Sequence, residues 1–116
     1  MLQKQALPWK RKLKTDEISS VFSFGKKQQH EYLRFLVIPT ETNFAKFAVI
    51  VAKRIVRQSV HRNYCKRFIK ELFRLSCTDM AGCNLIIQVR RKFGTMQHKE
   101  VAEEFSALIK SLNLKR

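Results

Sequence analysis

Apolar positions change their period several times along the chain, and each change marks an element. Behind Thr15, a residue suited to capping a helix, and the first-turn acids Asp16 and Glu17, residues Ile18, Val21 and Phe22 fall at i, i+3 and i+4, and Gly25 offers a stop. This predicts a short helix. Residues 32–38 form an apolar, β-compatible run, residues 39–43 read as a turn, and residues 44–52 form a second run, so the simplest arrangement is an antiparallel pair. A long helical pattern over 59–77 follows, then a loop containing Gly82 and a β-type run over 84–89. The last helix has the clearest stripe. Val101, Ala102, Phe105, Leu108, Ile109 and Leu112 line up, with Glu103, Glu104 and Lys110 away from them. No repeat, linker or low-complexity segment interrupts this order, which predicts one α/β sandwich of sheet and helices.

Length and composition agree with a single domain over residues 1–116. With 45% hydrophobic residues, nine Phe and only three Gly and two Pro, the chain can bury a real core. It has no apolar stretch near the roughly 18 residues a membrane span needs and no signal-like segment, so a cytoplasmic protein without a membrane partner is expected. Cys65, Cys77 and Cys83 are odd in number and lack metal-ligand spacing, which predicts reduced thiols and no bound metal.

Charge changes the picture most. The net charge is +15, and it is concentrated. Residues 1–14 hold five basic residues and no acid, residues 53–74 hold eight basic residues against Glu71 alone, and residues 15–52 are neutral. So uneven a distribution is the footprint of a nucleic-acid binder with a flexible basic N-terminal arm. A juxtamembrane polybasic tail would need an apolar anchor.

On a wheel at about 100° per residue, the long helix separates into two arcs. Val60, Tyr64, Cys65, Phe68, Ile69, Leu72 and Leu75 share one side, and Arg62, Asn63, Lys66, Arg67, Lys70 and Arg74 the other. The first arc can anchor the helix on the sheet while the second presents cations to phosphates, where an Arg can donate two parallel hydrogen bonds. A merely solvated face would mix signs to gain i, i+4 pairs, and here only Arg67 with Glu71 offers one.

The run from Val51 through Lys53-Arg54, Arg57 and the box Arg62-Asn63-Tyr64-Cys65-Lys66-Arg67 to Arg74 closely resembles the signature of the bacterial ribonuclease P protein subunit. That resemblance extends over nearly the whole chain. It implies an α/β (α+β) two-layer sandwich in the order α-β-β-β-α-β-α, with a left-handed β-α-β crossover that general handedness rules would not predict, similar to domain 2 of ribosomal protein S5. It also implies that the catalytic site and the Mg2+ ions belong to a partner RNA, which removes the 5′ leader from precursor tRNA. The protein would bind that RNA through Lys53, Arg54, Arg57, Arg62, Asn63, Lys66, Arg67, Lys70 and Arg74, assist at low magnesium, and need no protein partner or cofactor of its own. The leader would lie at positions matching Ile18, Phe22 and Leu36, helped by Tyr32 or Phe35; the alternative for Phe22 is a place in the core. Tyr64 stands where the box has its second Arg, either harmlessly inward or stacking in place of a guanidinium contact. Asn63 would either bond RNA or pin the start of the helix.

The residues themselves agree with a protein that is not the catalyst. There is no phosphate-binding loop, nucleophile motif or carboxylate cluster, and His61 lacks an identifiable catalytic partner. Three rivals remain at this level: a basic ribosomal or RNA-chaperone protein, a DNA-binding module using the same helix, and an autonomous nuclease. Co-purifying RNA separates the first, the absence of a helix-turn-helix partner weighs against the second, and cleavage by pure protein would mark the third.

Overall fold

The computed structural model describes residues 12–40, 45–76 and 82–114. Its first helix, α1 (Thr15–Phe24), starts after Lys14 in extended conformation. The Lys14 backbone N–H donates to Glu17 Oε1 at 2.9 Å. Glu17, and not Thr15, therefore closes the helix start; Thr15 is already inside the first turn. Gly25 ends α1 by close approach: its N–H donates to the Val21 carbonyl at 2.8 Å, and a Cβ there would sit 2.5 Å from that oxygen.

The described residues form one four-stranded sheet of β1 (Lys26–Gln29), β2 (Leu33–Pro39), β3 (Lys46–Ile50) and β4 (Cys83–Val89), in the order β1-β2-β4-β3. β1 pairs antiparallel with β2, β2 antiparallel with β4, and β3 parallel with β4. The antiparallel partnership expected of the runs at 32–38 and 44–52 is thus corrected. The two strands run in opposite directions, but β4 lies between them. Helix α2 (Ser59–Ser76) makes the crossover from β3 to β4, and α3 (His98–Leu114) follows β4 after a short 3₁₀ turn at Thr95–Gln97. The element order is α-β-β-β-α-β-α, as the resemblance implies. Gly82 takes φ 84° just before β4, a conformation that favours glycine.

Alternation along the strands splits the core by face. Leu33, Phe35, Phe47, Leu85, Ile87 and Val89 join Cys65, Ile69 and Phe73 of α2 and Val101, Phe105 and Leu108 of α3. On the other face Leu36 and Ile86 meet Leu13 and Val21 under α1. The wheel for α2 needs rotation. Phe73, left out of the anchoring arc, is fully buried with its ring stacked on Phe47 at 4.1 Å, whereas Val60 and Leu75 are 79% and 65% exposed. Residues 65, 69 and 73 point straight down, and Tyr64, Phe68 and Leu72 flank them. Cys65 and Cys83 are buried free thiols; Cys77 lies outside the described residues, as do residues 1–11 of the basic arm.

Candidate nucleic-acid interface

One backbone turn, closed by two hydrogen bonds to a single carbonyl, delivers cations to the start of α2. The Ile55 and Val56 N–H groups donate to the Ala52 carbonyl at 3.0 and 3.1 Å, and Val56 is buried as a plug. That turn leaves Lys53, Arg54 and Arg57 exposed. Arg62 then reaches back along the chain, its Nη1 donating to the carbonyls of Val56 at 3.1 Å and Arg57 at 2.8 Å. Arg62 is therefore a strut for the 53–57 segment as well as a cation.

Farther along α2, Asn63 and Arg67 are exposed while Lys66 and Lys70 are half-buried. Asn63 sits in the second turn of a helix that begins at Ser59, so pinning the helix start falls away as its role. Arg74 forms an ion pair with Glu71, its Nε donating at 3.0 Å. The pairing runs i, i+3 to Arg74 and not to Arg67, so part of the Arg74 charge is already answered.

A further cation arrives from the arm. The Leu13 N–H donates to the Phe47 carbonyl at 3.0 Å, and Lys12 bridges to Phe47 in parallel, extending the exposed edge of β3. Lys12, Lys66 and Lys70 then line one recess of about 190 Å³ with Leu13, Phe47, Ala48 and Val49. No acid lines it. Burial pulls the Lys70 ammonium below the usual lysine value, and the charges of Lys12 and Lys66 pull it further. A phosphate would relieve that repulsion. Sequence reasoning assigned Lys12 only to the arm, since nothing local signals its approach to α2.

Tyr64 turns inward. Its hydroxyl hydrogen-bonds with His98 Nε2, and its ring stacks near-parallel to the His98 ring, centroids 5.7 Å apart. His98 also stacks on Phe68 at 4.0 Å. His61 Nε2 donates to the Phe93 carbonyl at 2.7 Å and so ties α2 to the segment before α3. These contacts give His61 and Tyr64 packing roles between α2 and α3.

The expected leader positions divide between the two faces. Ile18 is half-buried, Leu36 fully buried beneath α1, and Phe22 is 41% exposed, which removes the core alternative for Phe22. Phe35 is corrected: alternation sends its ring to the opposite face, where it packs edge-on against Phe105 at 5.8 Å with no exposure. Tyr32 packs on that opposite face too. Neither ring borders α1. Among the described residues, no group of three or more His, Cys, Asp or Glu could hold a metal ion.

Comparison with known proteins gives this surface a context. The ribonuclease P family model matches residues 7–113. The ribonuclease P protein component of Chromobacterium violaceum is 31% identical over 102 residues, covering 88% of this chain and 84% of that protein. That of Nitrosomonas europaea is 32% identical over 91 residues, covering 78% and 76%. The RNase P protein of Thermotoga maritima superposes with a TM-score of 0.71 at 21% identity, over 86% of this chain and 96% of that one. For the Staphylococcus aureus RNase P protein the TM-score is 0.75 at 18% identity, over 86% and 95%. The solved structures share the fold and the sequence matches carry the family: this chain belongs to the ribonuclease P proteins, components of a ribonucleoprotein that processes tRNA.

Proposed function

We propose that this protein binds the catalytic RNA of ribonuclease P in the cytoplasm and, within that complex, holds the 5′ leader of precursor tRNA, supporting cleavage at low magnesium. The observation that carries this is the one-signed surface formed by Lys12, Lys53, Arg54, Arg57, Arg62, Lys66, Arg67 and Lys70, which adjoins a sheet face only partly covered by α1. Rigidly mounted guanidinium and ammonium groups suit a phosphate track, and the release of counterions from RNA supplies much of the binding free energy. The half-exposed Phe22 ring beside that face offers a stacking surface for an unpaired base.

The division of labour follows from the side chains available. Hydrolysis of a phosphodiester needs metal ions or a general acid and base in register, and these come with the RNA partner. The protein contributes charge, shape and a place for the single strand. The test reconstitutes the protein with a bacterial ribonuclease P RNA and follows precursor tRNA cleavage as magnesium is lowered. The complex should retain leader removal where RNA alone loses it; equal magnesium dependence with and without protein would refute the proposal.

A further inference from the structure

Strand β1 ends the sheet on one side without a single apolar residue. Lys26 stands opposite Val37 and Gln28 opposite Phe35, and because Phe35 and Val37 belong to the face that packs under α2 and α3, Lys26 and Gln28 point to that face too. A strand in this place normally extends the apolar layer. Here the layer stops at β2: Leu33 and Phe35 are fully buried, whereas Val37 is half-buried and Pro39 exposed.

Helix α3 does not seal the gap. Between its last turns and β1 lies a recess of about 300 Å³, floored by Val37, Pro39 and Cys83, with Leu108, Ser111 and Leu112 on one side and Lys26 and Gln28 on the other. Among the described residues no acid, no arginine and no aromatic ring lines it. Gln28 is held in place: the His30 ring, packed edge-on against Phe35 at 5.7 Å, donates from Nε2 to Gln28 Oε1 at 2.9 Å. That leaves the Gln28 NH2 group to donate, beside the Lys26 ammonium at the rim.

An apolar floor with a cation and a neutral donor at one end asks for an apolar body that ends in an acid. The volume is at the small end for ligand sites and fits one ring or a short chain. The helix sets the orientation. The C-terminal end of α3 is the negative pole of its dipole, so the acid lies toward Lys26 and Gln28 while the body fills the space between Val37, Leu108 and Leu112. A nucleotide is a poor match, since the recess offers no ring on which a base could stack. It also opens on the face opposite α1, and β1 is separated by β2 and β4 from the β3 edge where Phe47 carries α2.

We propose that this recess binds a small amphipathic carboxylate, its acid group held by Lys26 and Gln28 and its apolar body by Val37, Leu108 and Leu112. This goes beyond RNA binding and does not rest on the leader contact.

The test titrates phenylbutyrate into the free, full-length protein and follows the methyl NMR signals of Val37, Leu108 and Leu112. Those signals should shift saturably. Phenylbutanol, which keeps the body and loses the charge, should bind about tenfold more weakly, the scale of one charge-assisted hydrogen bond, and acetate, which keeps only the charge, should leave the three residues unmoved. Lys26→Gln alters an exposed side chain on an edge strand and should bring phenylbutyrate down to the affinity of phenylbutanol while leaving phenylbutanol itself unchanged. Ser111→Phe, which fills the recess, should abolish binding of both. Equal affinities for phenylbutyrate and phenylbutanol in the native protein would overturn the proposal, as would an acid preference that survives Lys26→Gln. Shifts that acetate reproduces, or that centre on Lys66 and Lys70, would mean attraction of any anion to a basic protein and overturn it as well. Saturating ribonuclease P RNA should leave phenylbutyrate bound; its displacement would make the recess part of the RNA surface and refute a separate site.

Discussion

The carboxylate of Glu104 holds the entry to β2 from a helix that begins 65 residues after it, accepting the Leu33 N–H at 2.9 Å and the Tyr32 N–H at 3.1 Å. Those two amides lie where β1 has ended, and α3 supplies the acceptor that the sheet does not. Hydrogen bonds to a charged group contribute about 1.5–3 kcal/mol. Glu104→Ala should lower stability by roughly that amount, seen as a fall in thermal midpoint, while Glu103→Ala on the exposed side of α3 should change it little. Equal midpoints for the two variants would remove Glu104 from this role.

Arg62 and Arg67 belong to the same cationic row, yet their bonds predict different behaviour. Arg62 braces the 53–57 segment through two carbonyls, while Arg67 is exposed. Arg67→Ala should weaken RNA binding and flatten its log–log salt dependence by about 0.7–0.9 for each phosphate no longer neutralised, with thermal stability unchanged. Arg62→Ala should do the same and also lower the melting temperature by several degrees, on the order of the 4–8 °C that 1 kcal/mol gives in a small domain. Identical melting curves would show that the brace contributes nothing.

Local periodicity made the α3 stripe legible in full and α2 in outline, because one buried face repeats every three to four residues. It could not reveal β1, whose sequence Lys-Lys-Gln-Gln has no apolar alternation; this edge strand is specified by its pairing with β2. Nor could it show β4 inserting between β2 and β3, since strand order is a long-range choice. The Phe35 error was avoidable. With Leu36 facing α1, the two-residue period of a strand sends Phe35 to the other side. Within the candidate site, the cations of α2 were readable from spacing. The double duty of Arg62, the arrival of Lys12 at Lys66 and Lys70, and the inward stacking of Tyr64 on His98 all depend on contacts between distant segments.

Glu17 makes α1 sensitive to acid. The Lys14 amide first, and then the Lys46 side chain at 2.9 Å, hold its carboxyl below the ordinary value of 4.5. A depressed carboxylate contributes stability that is present above its unfolded value and lost as pH falls through its folded one. Glu17→Gln should therefore cost about 1 kcal/mol near neutral pH, the scale of a helix-start interaction. That difference should shrink as the pH is taken below 4.5 and through the lowered folded value. Denaturant midpoints at several pH values would check it; a difference that stays constant into acid would disconnect the carboxylate charge from α1 stability.

Phe22 separates substrate binding from folding. Its ring is 41% exposed at the end of α1, whereas Val21 beside it is fully buried. Truncating a side chain that already meets solvent costs less than opening a cavity in the core, so Phe22→Ala should keep a near-native melting curve and Val21→Ala should not. If the leader stacks on Phe22, losing that ring removes roughly 1–3 kcal/mol per stacked base. Binding of leader-bearing precursor tRNA to the reconstituted complex should weaken about tenfold, while binding of mature tRNA stays the same. The pair of substrates controls for damage to the catalytic-RNA interface, because such damage would lower affinity for both. Equal losses for both tRNAs, or none for either, would exclude Phe22 from the leader contact.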